Sequence, residues 1–282
     1  MSGVLLPHEL LLVLGCGFAV GSLSGIFGVG GSFLLVPILH IVLRIPIEVA
    51  VGSTACQVLG PSTAALLARR VTTLQLRLPL IITGGLIMGV LLGTILLQMA
   101  GQFGELRLNG RNIPASELLV LGTYLVMLIG IGTFSLYEVR RQLSGRPVRR
   151  GTLARVKLPP VDTFSELGVG TLSIPILSMF GLLTGITAVL LGISGALLLI
   201  PGLVYLLDIR SRKAILASLI VVWITSFLAT IAHAWRGNVD LALAVALMSG
   251  GTIGARLGSE LGQRLKGTAL RRCIGWLAVA AA

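Results

Sequence analysis

Apolar runs of close to twenty residues recur along the chain, over 9–27, 46–67, 77–100, 116–137, 170–191, 213–234 and 239–258. A helix needs about 20 apolar residues to cross the hydrocarbon core of a bilayer. Inside that core the backbone has to satisfy its own polar groups, which a helix does within a single segment. A soluble helical protein would carry polar faces at a period of about 3.6 residues, and these runs lack them. Only 11% of the residues are charged, against about 25% in a soluble domain. The expected fold is therefore an all-α polytopic membrane protein.

Three shorter runs, 32–43, 195–207 and 268–282, bring the expected number of segments to ten. The runs 32–43 and 195–207 hold only 12–13 residues, so as helices they reach about 18–20 Å and fall short of a crossing. No Lys or Arg precedes Arg44, so the basic start of a cleavable signal peptide is missing and the first run is expected to remain in the mature protein.

Alternating the loops between the two faces divides the 22 Lys and Arg residues very unequally, 18 on one face and 4 on the other. The four are Arg44, Arg107, Arg111 and Arg236. Basic loops stay in the cytoplasm, so the richer face is expected inside and the N-terminus outside. The stretch RRQLSGRPVRRGTLARVKLPP lies within a basic cytoplasmic linker, 138–167, that separates a first membrane repeat at 1–137 from a second at 168–282. The net charge of +12 is thus a topology signal, and no nucleic-acid partner is expected. Cys16, Cys56 and Cys273 are isolated, which points to no disulfide framework and no metal site.

The halves resemble each other. A shift of 164 residues lays GVGGSFLLVP (28–37) on GISGALLLIP (192–201). Gly28 falls on Gly192, Gly31 on Gly195, Leu34 on Leu198, Leu35 on Leu199 and Pro37 on Pro201. Each half holds five segments. An odd number makes the second half enter the membrane from the opposite face, which is the inverted-repeat arrangement of many secondary transporters. Two short broken hairpins are then expected to meet from opposite faces near the membrane middle.

A glycine-rich break frees backbone N–H groups that protein, water or ligand must satisfy. A helix restarting there turns its positive end toward the break, a position that attracts anions. The candidate substrate-binding residues are Gly28, Gly30, Gly31 and Ser32 in the first break and Gly192, Ser194 and Gly195 in the second. Ser53, Thr54 and Gln57 follow the first break along the chain, and Ser218 and Trp223 the second. Close packing of helices through small residues is the competing reading of any one glycine. No acidic residue lies deep in a segment, which argues against a cation pathway. His40 and His233 sit near segment ends, where an interfacial position is expected. The spacing around Gly25, Gly28 and Gly30 lacks G-x-G-x-x-G and a βαβ unit, so no dinucleotide cofactor is expected, nor any other.

At FGVGGSFLLVP (27–37) and LGISGALLLIP (191–201) the chain resembles the TauE/SafE sulfite-exporter family of bacterial membrane proteins. AVGSTA (50–55) and HAWRGNVD (233–240) extend the resemblance to nearly the whole chain. Ser32 and Ala196 stand where a third glycine is frequent, and Ser53-Thr54 reverses the usual order. The resemblance implies a multi-pass protein of the bacterial inner membrane that moves a small sulfur-containing anion: sulfite, thiosulfate or a C2 organosulfonate such as sulfoacetate. The residues themselves reach only as far as an anion. The expected function is secondary transport by alternating access, and the alternative is an anion channel with the same central site. No nucleophile–base pair supports an enzyme. The partners expected are the anion and the lipid bilayer, with homo-oligomerisation left open.

Overall fold

The computed structural model describes residues 7–27, 34–67, 76–108, 111–144, 151, 153–164, 170–193, 195–209 and 211–262. Helices dominate: α1 (Pro7–Phe27), α2 (Leu35–Ile41), α3 (Ile47–Gln57), α4 (Leu59–Leu67), α5 (Arg77–Gln102), α6 (Ala115–Leu143), α7 (Ile174–Leu191), α8 (Ala196–Pro201), α9 (Ser211–Ala234) and α10 (Leu241–Gly262). A π-helical turn, Gly202–Leu206, continues α8. Two antiparallel hairpins lie between helices, β1 (Glu105–Leu108) with β2 (Arg111–Pro114) and β3 (Val161–Thr163) with β4 (Thr171–Ser173). Among the described residues five helices are long and apolar enough to cross a membrane. The fold is an all-α polytopic membrane fold, as the apolar runs imply. The expected segment 268–282 lies outside the described residues.

One run departs from expectation. The stretch 46–67 is two helices, α3 and α4, interrupted at Val58. Pro61 accounts for the interruption: it has no N–H to offer the carbonyl of Gln57, four residues back, and its ring crowds that carbonyl. The interruption falls at the twelfth residue of the 21-residue span 47–67, about halfway along the run.

Two helix pairs form the tightest contacts, α1 with α10 and α5 with α7. Glycine permits both. A Cβ on Gly250, Gly254 or Gly258 would fall within 3 Å of the carbonyl oxygens of Leu14, Phe18 and Ser22 respectively. A Cβ on Gly85 or Gly89 would meet the carbonyl oxygens of Ser178 and Leu182 in the same way, and Gly93 lies against Ile186. Small residues let backbones approach when lipid tails remove the hydrophobic drive between helices. Both contact series advance in step along the two chains, so the partners in each pair run parallel.

The two interfaces use equivalent positions. Leu14, Phe18 and Ser22 map on Ser178, Leu182 and Ile186 at a shift of 164 residues. Gly85, Gly89 and Gly93 map on Gly250, Gly254 and Gly258 at a shift of 165. Gly17 against Leu247 likewise matches Gly181 against Ile82, and Gly21 against Gly251 matches Gly185 against Leu86.

Polar ties gather at the two ends of the bundle. At one end His40 Nε2 lies 3.0 Å from Glu117 Oε1, Ser116 donates to Glu48 at 2.8 Å, and Arg236 donates to Gln98 at 3.2 Å. At the other, Arg77 pairs with Asp162 at 2.9 Å, Tyr205 donates to Glu138, and the Gly151 N–H donates to the Tyr205 carbonyl at 2.9 Å.

Replacing Gly89 or Gly254 by Leu is expected to lower the melting temperature of the purified protein sharply, since overpacking a tight contact costs about 1–3 kcal/mol or more. Gly84, on α5 with nothing within 4 Å of its would-be Cβ, is the control: Gly84→Leu should melt close to wild type.

Candidate functional site

The second break is built from α7, α8 and the four residues between them. Gly192 ends α7 in the left-handed conformation, φ 64°, and Gly195 opens α8 in the same region, φ 71°. Two such turns in succession reverse the chain, and glycine adopts this conformation without steric cost. Space matters as well, because a Cβ on Gly192 would strike the backbone of Val51 and one on Gly195 the side chain of Thr184. The hairpin tip therefore rests on α3, four residues into that helix. Thr54 follows Val51 by one turn, on the same face.

The end of α7 exposes carbonyls that the helix itself cannot bond. Tyr124 on α6 donates its hydroxyl to the Leu191 carbonyl at 2.6 Å. His233 on α9 lies with Nε2 3.1 Å from the Val189 carbonyl; since a carbonyl only accepts, that nitrogen carries the proton. Both side chains are buried, at 3% and 1% exposure. Near the end of α9, His233 is a buried clamp on the hairpin. Its ring Nδ1 has no partner. Residue type alone gave Tyr124 and His233 no prominence, and their signal was a polar group inside an apolar run.

Ser53, Thr54 and Gln57 all lie on α3 and are buried. Ser53 Oγ accepts the Asp240 N–H at 3.0 Å, joining α3 to the start of α10. Among the described residues Thr54 Oγ1 and Gln57 Oε1 are buried without a partner. Elsewhere, helical hydroxyls such as those of Thr63, Thr94, Thr123 and Thr184 return to the carbonyl four residues back at 2.6–2.8 Å. Thr54 does not. Gln57 stands at the α3–α4 interruption with its amide nitrogen close against Gly251 of α10.

Three ties show that α9 runs antiparallel to α3 and α4. His233 packs on Gly52, Thr230 faces the Cys56 thiol, and the Trp223 indole N–H donates to Thr63 Oγ1 at 2.9 Å. Ser226, between the last two, falls level with the α3–α4 interruption. It too is buried with an unpartnered hydroxyl. Trp223 also stacks on Phe227 at 5.7 Å between ring centroids. Ser218 is buried and donates to the Ile215 carbonyl at 2.8 Å; eight residues before Ser226, it sits about 12 Å further along α9. Thr54 thus shares the face of α3 that meets the tip at Gly192, Gln57 turns toward α10 at the interruption, Ser226 lies level with the interruption on α9, and Ser218 sits apart. Gly28, Gly30, Gly31, Ser32 and Ser194 lie outside the described residues. Among the described residues no group of three or more His, Cys, Asp or Glu side chains could hold a metal ion.

An unpaired polar atom in an apolar interior costs about 1–3 kcal/mol, so each of these side chains has capacity to bond a further polar group. The Thr54 and Ser226 hydroxyls can donate to an oxygen-rich ligand, whereas Gln57 Oε1 as placed can only accept.

Tyr124→Phe removes the donor that holds Leu191 and leaves its carbonyl buried and unpaired. Stability should fall by about 1–3 kcal/mol, measured as a lower midpoint in denaturant unfolding.

Comparison with known proteins adds a name. A family model described as "Sulfite exporter TauE/SafE" matches residues 13–282. Two relatives from Xylella fastidiosa, from strains 9a5c and Temecula1 / ATCC 700964, are each described as "Probable membrane transporter protein". Each is 25% identical over 278 residues, covering 98% of this chain and 94% of the relative. No solved structure matches the chain.

Proposed function

Since this chain belongs to the sulfite exporter TauE/SafE family, we propose that it is a secondary transporter that carries a small sulfur-containing anion across the bacterial inner membrane by alternating access. The substrate class is sulfite, thiosulfate or a C2 organosulfonate such as sulfoacetate. Its role is transport rather than catalysis.

The observation that carries the reading is the repeated pair of helix interfaces. The chain direction supports an inverted relation between the two repeats. Helices α5 and α9 both end near Arg236, which donates to the Thr94 carbonyl and to Gln98. Helix α7 runs parallel to α5 and ends there as well, at His233. Helix α10 begins at that end, and α1 runs parallel to α10. So α1 starts where α7 finishes. A protein made of two such oppositely directed copies can exchange their conformations and so open to either face in turn. The grouping of ties at the two ends also supports the proposed topology, with Arg44 and Arg236 outside and the linker 138–167 within the cytoplasm.

The anion is held at the second break and the α3–α4 interruption. Thr54 and Ser226 supply hydroxyl donors, and the Gln57 side-chain amide supplies another once turned about its last bond so that its nitrogen rather than its oxygen faces the anion; Gly192 and Gly195 allow the backbone to approach. Helix α8 spans only six residues, and the N–H groups of Leu198 and Leu199 already bond the Gly195 carbonyl at 3.0 and 2.9 Å. Its dipole therefore contributes little, and the side-chain donors carry the recognition. Gly28, Gly30, Gly31 and Ser32 supply the matching half of the site from the first break. Ser53 holds α10 in place beside it.

Binding of sulfite, thiosulfate, sulfoacetate and sulfate to the purified protein tests this reading. At least one sulfur anion should bind saturably. Hydrogen bonds to a charged group are worth about 1.5–3 kcal/mol, so Thr54→Val and Gln57→Ala should each weaken that binding by about tenfold or more with little change in melting temperature. Absence of binding across the panel refutes the substrate class. Unchanged affinity in both variants removes the site.

A further inference from the structure

A groove of about 540 Å³ runs between α5 and α9 on the membrane-facing surface of the bundle. Its walls include Ile87 and Leu91 on α5 and Ile231 on α9, all about half exposed. Its mouth is formed by Gln98, Trp235 and Arg236. Along α5 the lining extends over 87–98, eleven steps and about 16 Å. That is close to half of the roughly 30 Å hydrocarbon core, so the groove is one leaflet deep.

The polarity changes along this length as a lipid's does. The lower walls are apolar. At the mouth Trp235 is 92% exposed, in the place where aromatic side chains meet the headgroup layer. Beside it, the Arg236 guanidinium is fixed by one nitrogen, Nη2, which donates to the Thr94 carbonyl at 3.0 Å and to Gln98 Oε1 at 3.2 Å. A guanidinium carries five N–H donors on three nitrogens. Anchoring through one leaves the others to grip a phosphate, the geometry in which arginine binds two oxygens together. The nearest acid along the chain, Asp240, turns its carboxylate to the Leu243 N–H at 3.1 Å.

We propose that this groove binds one anionic phospholipid, with an acyl chain lying against Ile87, Leu91 and Ile231 and its phosphate held by Arg236. The site shares α9 with the proposed anion site but none of its residues, and depends only on the chain's placement in a membrane.

Native mass spectrometry of the full-length protein, released from bilayers of phosphatidylglycerol mixed equally with phosphatidylcholine, tests the proposal. Wild type should retain one phosphatidylglycerol at about fivefold preference, as expected for one arginine near an anionic surface. Arg236→Gln should bring that preference close to one. Leu91→Trp, which fills the groove from an exposed position, should remove retention of both lipids, whereas Leu11→Trp on the exposed face of α1 should change nothing. An unaltered preference in Arg236→Gln overturns the proposal. So does efficient crosslinking of two chains through Ile231→Cys, which would show that a second copy covers the groove.

Discussion

In an apolar interior an unpaired carbonyl or amide costs several kcal/mol, and among the described residues the chain interrupts its helices at two places, the end of α7 and Val58. Each break is supported in a different way. At the end of α7 the freed carbonyls of Val189 and Leu191 are met by His233 and Tyr124, from two other helices. At Val58, Pro61 removes a donor, and buried polar atoms of Thr54, Gln57 and Ser226 stay unpaired nearby. The end of α7 is locked by the protein. The interruption at Val58 leaves capacity in reserve, and the proposed anion uses it. Helices α6 and α9 thus hold the hairpin directly through the Tyr124 and His233 bonds.

The glycine interfaces set the frame in which such movement takes place. Backbones in contact along α1 with α10, and along α5 with α7, leave few side chains to interlock. These pairs therefore behave as two matching units, each built of one helix from either half of the chain. Pairing one helix from each half in this way ties the two halves together. This follows from the equivalence of contacts, Leu14 with Gly250 against Ser178 with Gly85, and requires no particular ligand.

The sequence showed the class of fold clearly because the hydrocarbon thickness acts on run length, a one-dimensional property. It showed the second break for a similar reason: Gly192 and Gly195 both adopt positive φ, a local demand that only residue type near the site has to meet. The interruption at Val58 was also written locally, in Pro61, but an unbroken apolar run concealed it. His233 and Tyr124 are different. Their role arises from α6 and α9 folding against α7, over separations of 67 and 44 residues, and no local pattern records it. The same distance hides which hydroxyls are spare. Ser53, Thr54 and Ser218 look alike in the chain, yet Ser53 is engaged by Asp240, Ser218 by its own helix, and Thr54 by nothing.

The central claim is a saturable anion site that faces the two sides of the membrane in turn. Counterflow in sealed vesicles containing the purified protein measures this directly. Vesicles loaded with an excess of the unlabelled bound anion should take up the labelled anion faster than empty ones, and uptake should saturate with concentration. Flux that rises linearly with concentration and is indifferent to the internal anion would contradict the account and identify a channel.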